Sequence, residues 1–539
     1  MTGGRGIPGD SLNADRRWRG RRADARVRRG AILAVLSLTV LIINLDGTIL
    51  NVALPTIVKS LHASSSQLQW IVDSYIIVLA GLLLIAGSLG DHVGRKGVFI
   101  GGLAVFAVGS CASAFATTPD KLIVARSFMG IGAAAIMPST LSILTNVFIE
   151  PRDRARAIGL WSGTNGLGLA IGPVVGGWLL THFWWGSVFL INVPIAIVAC
   201  VAAVLVVPDS KNALAKRPDV LGAILSLIGP ALLLWGIIEG PSRGWGSPSI
   251  IAAIGAALIV TSLLVVWERH TNHPLLEISF FNSRRFSVAI GGLGLTIFAL
   301  SGGLFLLTQY LQFCLGYSAF QTGLRIAPIA LVLLLVASLS PLAVRFLGTK
   351  VVVFIGMALI AIGLALLSST TPHSTYANAL PSFFLMGIGS GLCVAPCTES
   401  VMGSVPVNLS GVGSATNSTA LQIGSALGVA VLGSLLNTRY QADMTSLLRR
   451  YTVPASVAKA TEGSLGGALE VADRLGGPLG AQLGATARQS FISGMAFAVS
   501  VGAVIAGAAA VVVLALLPSR AAKERRLEPK SSPREVGGE

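Results

Sequence analysis

The chain has 539 residues, 53% hydrophobic and only 12% charged, with a formal net charge of +16. A soluble domain usually carries about 25% charged residues, so a soluble globular protein is excluded. Apolar runs of about 20 residues, the length a bilayer requires, recur along nearly the whole sequence, and a glycine count of 63 suits close helix contact in lipid. Cys111, Cys200, Cys314, Cys393 and Cys397 all lie in apolar runs and read as packing residues rather than a disulfide framework.

Taken in chain order, the apolar runs predict an all-α polytopic membrane protein of fourteen transmembrane helices, at about 31–53, 68–90, 98–117, 121–147, 156–180, 187–207, 219–239, 249–267, 286–312, 321–344, 351–369, 378–402, 413–437 and 493–517. The Arg-rich start shows no signal-peptide cleavage pattern, so 31–53 reads as the first span. Most of the 39 Lys and Arg fall on one side of this scheme, and the positive-inside rule makes that side, with both termini, cytoplasmic. The basic tails, 1–30 and 518–539, are expected to be disordered and to meet anionic lipid head groups. No folded basic domain accompanies them, which speaks against nucleic-acid binding. Between the tails the expected units are 31–207, an inserted pair of helices within 208–270, and 271–517, the last with a long extracellular loop at 438–492.

Three ionisable residues, Asp46, Asp73 and Arg126, fall within spans and away from their last residues, where they are costly and usually functional. By a rise of about 1.5 Å per residue, Asp46, Asp73 and Arg126 lie roughly 6, 9 and 12 Å outward of the middle of their spans. Similar depth predicts a cluster. Burial and a nearby cation act in opposite senses on a carboxylate, which suits Asp46 and Asp73 to proton carriage with Arg126 tuning them. The plainer alternative is a static structural pair. Glu239 and Arg325 sit at outer span ends and reach head groups by snorkelling. Asn51, Trp161, Asn165, Gln309 and Arg325 are candidate cavity residues.

GSLGDHVGRKGVFIGG, Gly87–Gly102, is a charged, glycine-rich turn between two spans. Gly87 and Gly94 permit a tight turn, Asp91 suits a cation or a helix N-terminus, and Arg95 and Lys96 mark the cytoplasmic surface. PLAVRFLGTKVVVFIGM echoes it near Arg345, without the acid. Repeated halves mark secondary transporters, and the spacing gives six spans, two inserted and six more. In the fifth span Gly168, Gly172 and Gly176 recur on one face, with Gly177 beside them, and Pro173 predicts a bend.

These residues resemble the major facilitator superfamily, and most closely its fourteen-span drug:proton antiporter branch, which includes the quaternary-ammonium exporters. LDGTILNVALP (Leu45–Pro55), WIVDSY (Trp70–Tyr75), GSLGDHVGRK (Gly87–Lys96), LIVARSFMGIGAAAIMPSTLSI (Leu122–Ile143) and GLGLAIGPVVGG (Gly166–Gly177) carry the resemblance, with GVGSATNS (Gly411–Ser418) a looser match. The resemblance implies two six-helix bundles, a loop around Asp91 that latches helices in one conformation, and a fifth span that seals the cavity on one side. Related exporters often place charges where this chain reads TNSTALQ (Thr416–Gln422). Glu399 is the nearest acid and a further candidate for coupling.

No phosphate-cradling or hydrolase motif is present, so the reading is not an enzyme. The expected function is proton-coupled export of amphipathic, cationic small molecules from a bacterial inner membrane, as a monomer without cofactors. An exporter of an endogenous lipid or specialised metabolite, or a proton-coupled importer, is the alternative.

Overall fold

Lipid offers no hydrogen bonds, so spanning segments must satisfy their own backbone, and helices do so. The computed structural model describes residues 9–211, 218–271, 274–372, 374–406, 409–449 and 454–518. Its α-helices are α1 (Gly9–Leu61), α2 (Ser65–Val93), α3 (Arg95–Ala114), α4 (Pro119–Val147), α5 (Pro151–His182), α6 (Ser187–Leu190), α7 (Asn192–Val206), α8 (Val220–Arg243), α9 (Pro248–His270), α10 (Arg284–Gln309), α11 (Ala319–Leu347), α12 (Thr349–Ser368), α13 (Tyr376–Met402), α14 (Ser410–Leu448), α15 (Ala455–Gly463), α16 (Leu465–Leu475) and α17 (Gly477–Leu516).

Thirteen helical stretches among the described residues have the length and apolarity of a span, with α6 and α7 forming one of them, Ser187–Val206. The sequence count of fourteen adds α5, whose 32 residues make about 48 Å of helix, more than a bilayer core of about 30 Å. Two boundaries differ from expectation. The first helix begins at Gly9, within the stretch expected to be a disordered tail, because its basic run is built largely of Arg and Ala, both good helix formers. Residues 438–492 are no open loop: α14 continues to Leu448, and α15, α16 and the start of α17 fill most of the rest. The tails 1–8 and 519–539 and the connector 212–217 lie outside the described residues.

The packing repeats. In the first half α1 lies on α5, α2 on α4, and α3 on α4 and α7. In the second, α10 lies on α14, α11 on α13, and α12 on α13 and α17. The halves meet along two seams, α5 with α11 and α2 with α14, and α8 packs on both α2 and α14. The two glycine-rich turns are also equivalent. Gly94 and Gly348 each start the next helix at positive φ, +136° and +80°, a conformation that suits glycine.

Small residues bring the helices together. A Cβ at Gly132 of α4 would strike the backbone of Phe106 and the Gly102 carbonyl of α3. Gly132→Val should therefore push α3 off α4 at a cost of about 1–3 kcal/mol or more, seen as a lower melting temperature of the detergent-solubilised protein. Gly101→Val, where the added Cβ meets open space, should leave it unchanged.

Candidate functional site

Asp46 of α1 and Arg126 of α4 are 2% and 1% exposed. Arg126 Nη1 donates to Asp46 Oδ2 at 2.5 Å, and its Nε donates to the Ile71 carbonyl of α2 at 3.2 Å. The guanidinium carbon lies 4.3 Å from the centre of the Tyr75 ring and 5.8 Å from that of Phe189. Asn192, the first residue of α7, donates from Nδ2 to Asp46 Oδ1 at 2.9 Å and to Ser110 Oγ of α3 at 3.2 Å. Ser110 donates onward to the Phe189 carbonyl at 2.7 Å. The approach of α2 to α4 at Gly130, where a Cβ would meet the Tyr75 carbonyl and Val78, brings Arg126 under the Tyr75 ring. A carboxylate so held by a guanidinium and an amide has its charge compensated within the protein.

Asp73, also on α2, is fully buried but not part of this group. Neither of its carboxylate oxygens has a hydrogen-bond partner. It lies four residues from Gln69, whose Nε2 reaches the Val429 and Ala430 carbonyls of α14, each at 3.3 Å. That spacing puts both residues on one helix face, the one turned to the second half. Glu399, the other coupling candidate, is exposed near the C-terminal end of α13, in the second half.

The charged turn holds three elements of the first half together. Arg95 Nε donates to Asp91 Oδ1 at 2.7 Å and its Nη1 to the Ser142 carbonyl of α4 at 3.4 Å. Lys96 Nζ donates to the Val204 carbonyl of α7 at 2.9 Å. Gly87 passes Pro138 of α4.

The glycine face of α5 divides its labour. Gly168, Gly172 and Gly176 face Asn44, Thr48 and Ile49 of α1, and Thr48 Oγ1 donates to the Gly168 carbonyl at 3.2 Å. Gly177 instead faces the Ala319–Phe320 backbone of α11, and the Pro173 carbonyl faces Gly323 of α11. The α5–α11 seam thus runs through the motif itself.

Asn51 lines a cavity of about 30 Å³ between α1, α5, α10 and α11, beside Thr48, Pro173 and Thr308. Gln309 is buried and bonds its own helix at the Phe305 carbonyl. Trp161 donates to Thr140 Oγ1 of α4 at 3.3 Å, and the Asn165 side chain lies outside the described residues. Arg325 is caged by aromatic rings, 3.9 Å from the Tyr317 ring centre and 5.4 Å from that of Tyr376. Glu239 accepts from Trp70 Nε1 at 3.3 Å and pairs with Arg243 at 3.5 Å. A larger groove of about 1400 Å³ opens beside them, bounded by α2, α14, α15 and α16. Among the described residues no three His, Cys, Asp or Glu converge as a metal-binding set.

Sequence reasoning passed over Asn192, Ser110, Tyr75 and Gln69. An asparagine interrupting the apolar run after Phe189 was the available signal for Asn192; the others are residue types common in any helix bundle.

The chain matches the Major Facilitator Superfamily over residues 36–429. It is 34% identical over 490 residues to the multidrug efflux pump LfrA of Mycolicibacterium smegmatis, covering 90% of this chain and 96% of that protein. It is 31% identical over 469 residues to the methyl viologen resistance protein SmvA of Salmonella typhimurium, covering 86% and 93%. Its fold is similar to that of a bacterial homologue of the human lysosomal transporter Spinster, solved inward-facing and unoccupied, with a TM-score of 0.60 at 18% identity over 92% of this chain and 99% of that one. With thirteen apolar helices of spanning length and bacterial efflux pumps as relatives over most of its length, this is a multi-pass inner-membrane protein, and it belongs to the major facilitator superfamily.

Proposed function

We propose that this chain is a proton-coupled antiporter that exports amphipathic, lipophilic cations by alternating access. One observation carries the reading: a carboxylate, a guanidinium and an amide, Asp46, Arg126 and Asn192, joined by hydrogen bonds within apolar helices. Ionisable groups so placed are expensive and mark ion and substrate pathways. A site with acids in apolar walls suits bulky organic cations. Methyl viologen, in the name of SmvA, is an organic dication, and LfrA is named for multidrug efflux.

In this reading the protein has fourteen spans, α5 included, with cytoplasmic termini. It works as a monomer with protons as its coupling ion, and its basic tails rest on anionic lipid. The α5–α11 and α2–α14 seams form the outer gate. The turn at Asp91, Arg95 and Lys96 holds the cytoplasmic ends of α2, α4 and α7 in one state and yields in the other.

Arg126→Lys keeps the charge but loses the planar fork that reaches Asp46 and the Ile71 carbonyl together. It should lower export of a fluorescent lipophilic cation by at least about tenfold, a difference of about 1.4 kcal/mol, measured as efflux from loaded cells at matched expression. In sealed vesicles with an imposed pH gradient, cation and proton fluxes should run in opposite directions. Parallel fluxes would replace antiport with symport, and cation flux indifferent to the gradient would remove proton coupling.

A further inference from the structure

We propose that Asp73, rather than Asp46, is the group that takes up and releases the coupling proton, and that the α2–α14 seam controls its access to water. This rests on the proton-coupled reading above and assigns its carrier.

The two buried acids differ in what surrounds them. Asp46 has a donor on each oxygen, one of them a guanidinium. Asp46 is thus the counter-ion of a guanidinium that is itself buried. Asp73 is equally buried, yet both its oxygens lack a donor.

Its position explains the difference. Gln69, one turn before it, reaches the α14 backbone. Ile77, one turn after it, packs with Ala426 and Ala430 of α14 and with Leu234 and Ile238 of α8. Asp73 therefore lies in the joint between the halves, with α8 as a third wall. No wall offers it a counter-charge. From Ser410 to Asn437, α14 has no ionisable residue, and α10 has only Arg284 and Arg285, at its start. On α4, Arg126 is committed to Asp46 and the Ile71 carbonyl. On α8, Glu239 is an acid, occupied with Trp70 and Arg243.

An uncompensated carboxylate in apolar surroundings becomes neutral by binding a proton. The closed seam thus favours the carboxylic acid. When α2 and α14 part to the outside, water enters, a cation held at the Asp73 carboxylate leaves, a proton from the outer water forms the O–H bond, and the seam closes on the neutral acid. On the cytoplasmic side an incoming cation then takes the carboxylate, the O–H bond breaks, and the proton passes to cytoplasmic water.

The inserted helix α8 makes this seam tight. Ser66 of α2 and Ser434 of α14 donate to the adjacent Ile238 and Ile237 carbonyls of α8, at 3.3 and 2.8 Å. The Ile237 carbonyl is free to accept because Pro241, four residues on, has no N–H. One element therefore bridges both halves over Asp73 and shields it from lipid and water until the halves separate.

The test uses the full-length protein in liposomes with tetraphenylphosphonium as the cation. Asp73→Asn should lose pH-gradient-driven accumulation at least tenfold, and Asp73→Glu, which keeps the carboxyl group, should restore part of it. Accumulation at the unsubstituted rate would overturn the proposal. A second measurement does not need transport: the separation of spin labels at Ser65 and Arg439, across the seam, followed against pH. It should widen as pH rises and cease to respond in Asp73→Asn. A response that survives Asp73→Asn but vanishes in Asp46→Asn would overturn the proposal, as would no response in the unsubstituted protein. Cation accumulation by the unsubstituted protein that ignores the pH gradient would instead sink the antiport reading, a failure distinguishable from these.

Discussion

A buried charge in a membrane bundle must be answered by another group, and in this protein the answer to one charge organises half of the fold. Arg126 belongs to α4. It reaches α1 through Asp46 and α2 through the Ile71 carbonyl and the Tyr75 ring. Asp46 in turn holds Asn192 of α7, which touches Ser110 of α3. Five helices thus converge on one polar centre. Leaving one partner of such a pair alone costs about 3–5 kcal/mol, a large part of the 5–15 kcal/mol that typically separates folded from unfolded protein. The spacing of these helices is set by electrostatics as much as by side-chain volume.

The second half repeats the geometry without repeating the charge. Where α10 meets α14, glycines approach backbone: Gly302 faces Gly428, and Gly424 faces Gly294. Arg325, a cation near the start of α11, is held by tyrosine rings rather than by a buried acid. The pseudo-symmetry therefore belongs to packing, and the ionisable chemistry is concentrated in α1, α2 and α4.

Both seams between the halves are lined by small residues. Gly177 and Gly323 let α5 and α11 touch at their backbones, and Gly433 admits Gln69 against α14. Contacts of this kind rest on close van der Waals packing, since lipid provides no hydrophobic drive between helices, and at α14 the Gln69 side chain adds hydrogen bonds to the Val429 and Ala430 carbonyls. The charged turn at Asp91 is different. Its hydrogen bonds to Ser142 and Val204 stay within the first half.

Local composition was enough to show that this chain crosses a membrane many times, that it carries repeated glycine-rich turns, and that Asp46, Asp73 and Arg126 are exceptional. Hydropathy, charge asymmetry and the cost of ionisable groups in lipid are properties of short stretches, readable without partners. The pairing of those three residues was a different matter. Similar depth suggested one cluster, but depth along a span does not give rotation about its axis. The fold turned Asp46 toward Arg126 and Asn192, and turned Asp73 away toward α14. The role of α8 was equally hidden, because a bridge between Ser66 and Ser434 joins residues 368 positions apart. Helix rotation and long-range contact are fixed by packing among all the helices at once, and only the assembled structure could decide them.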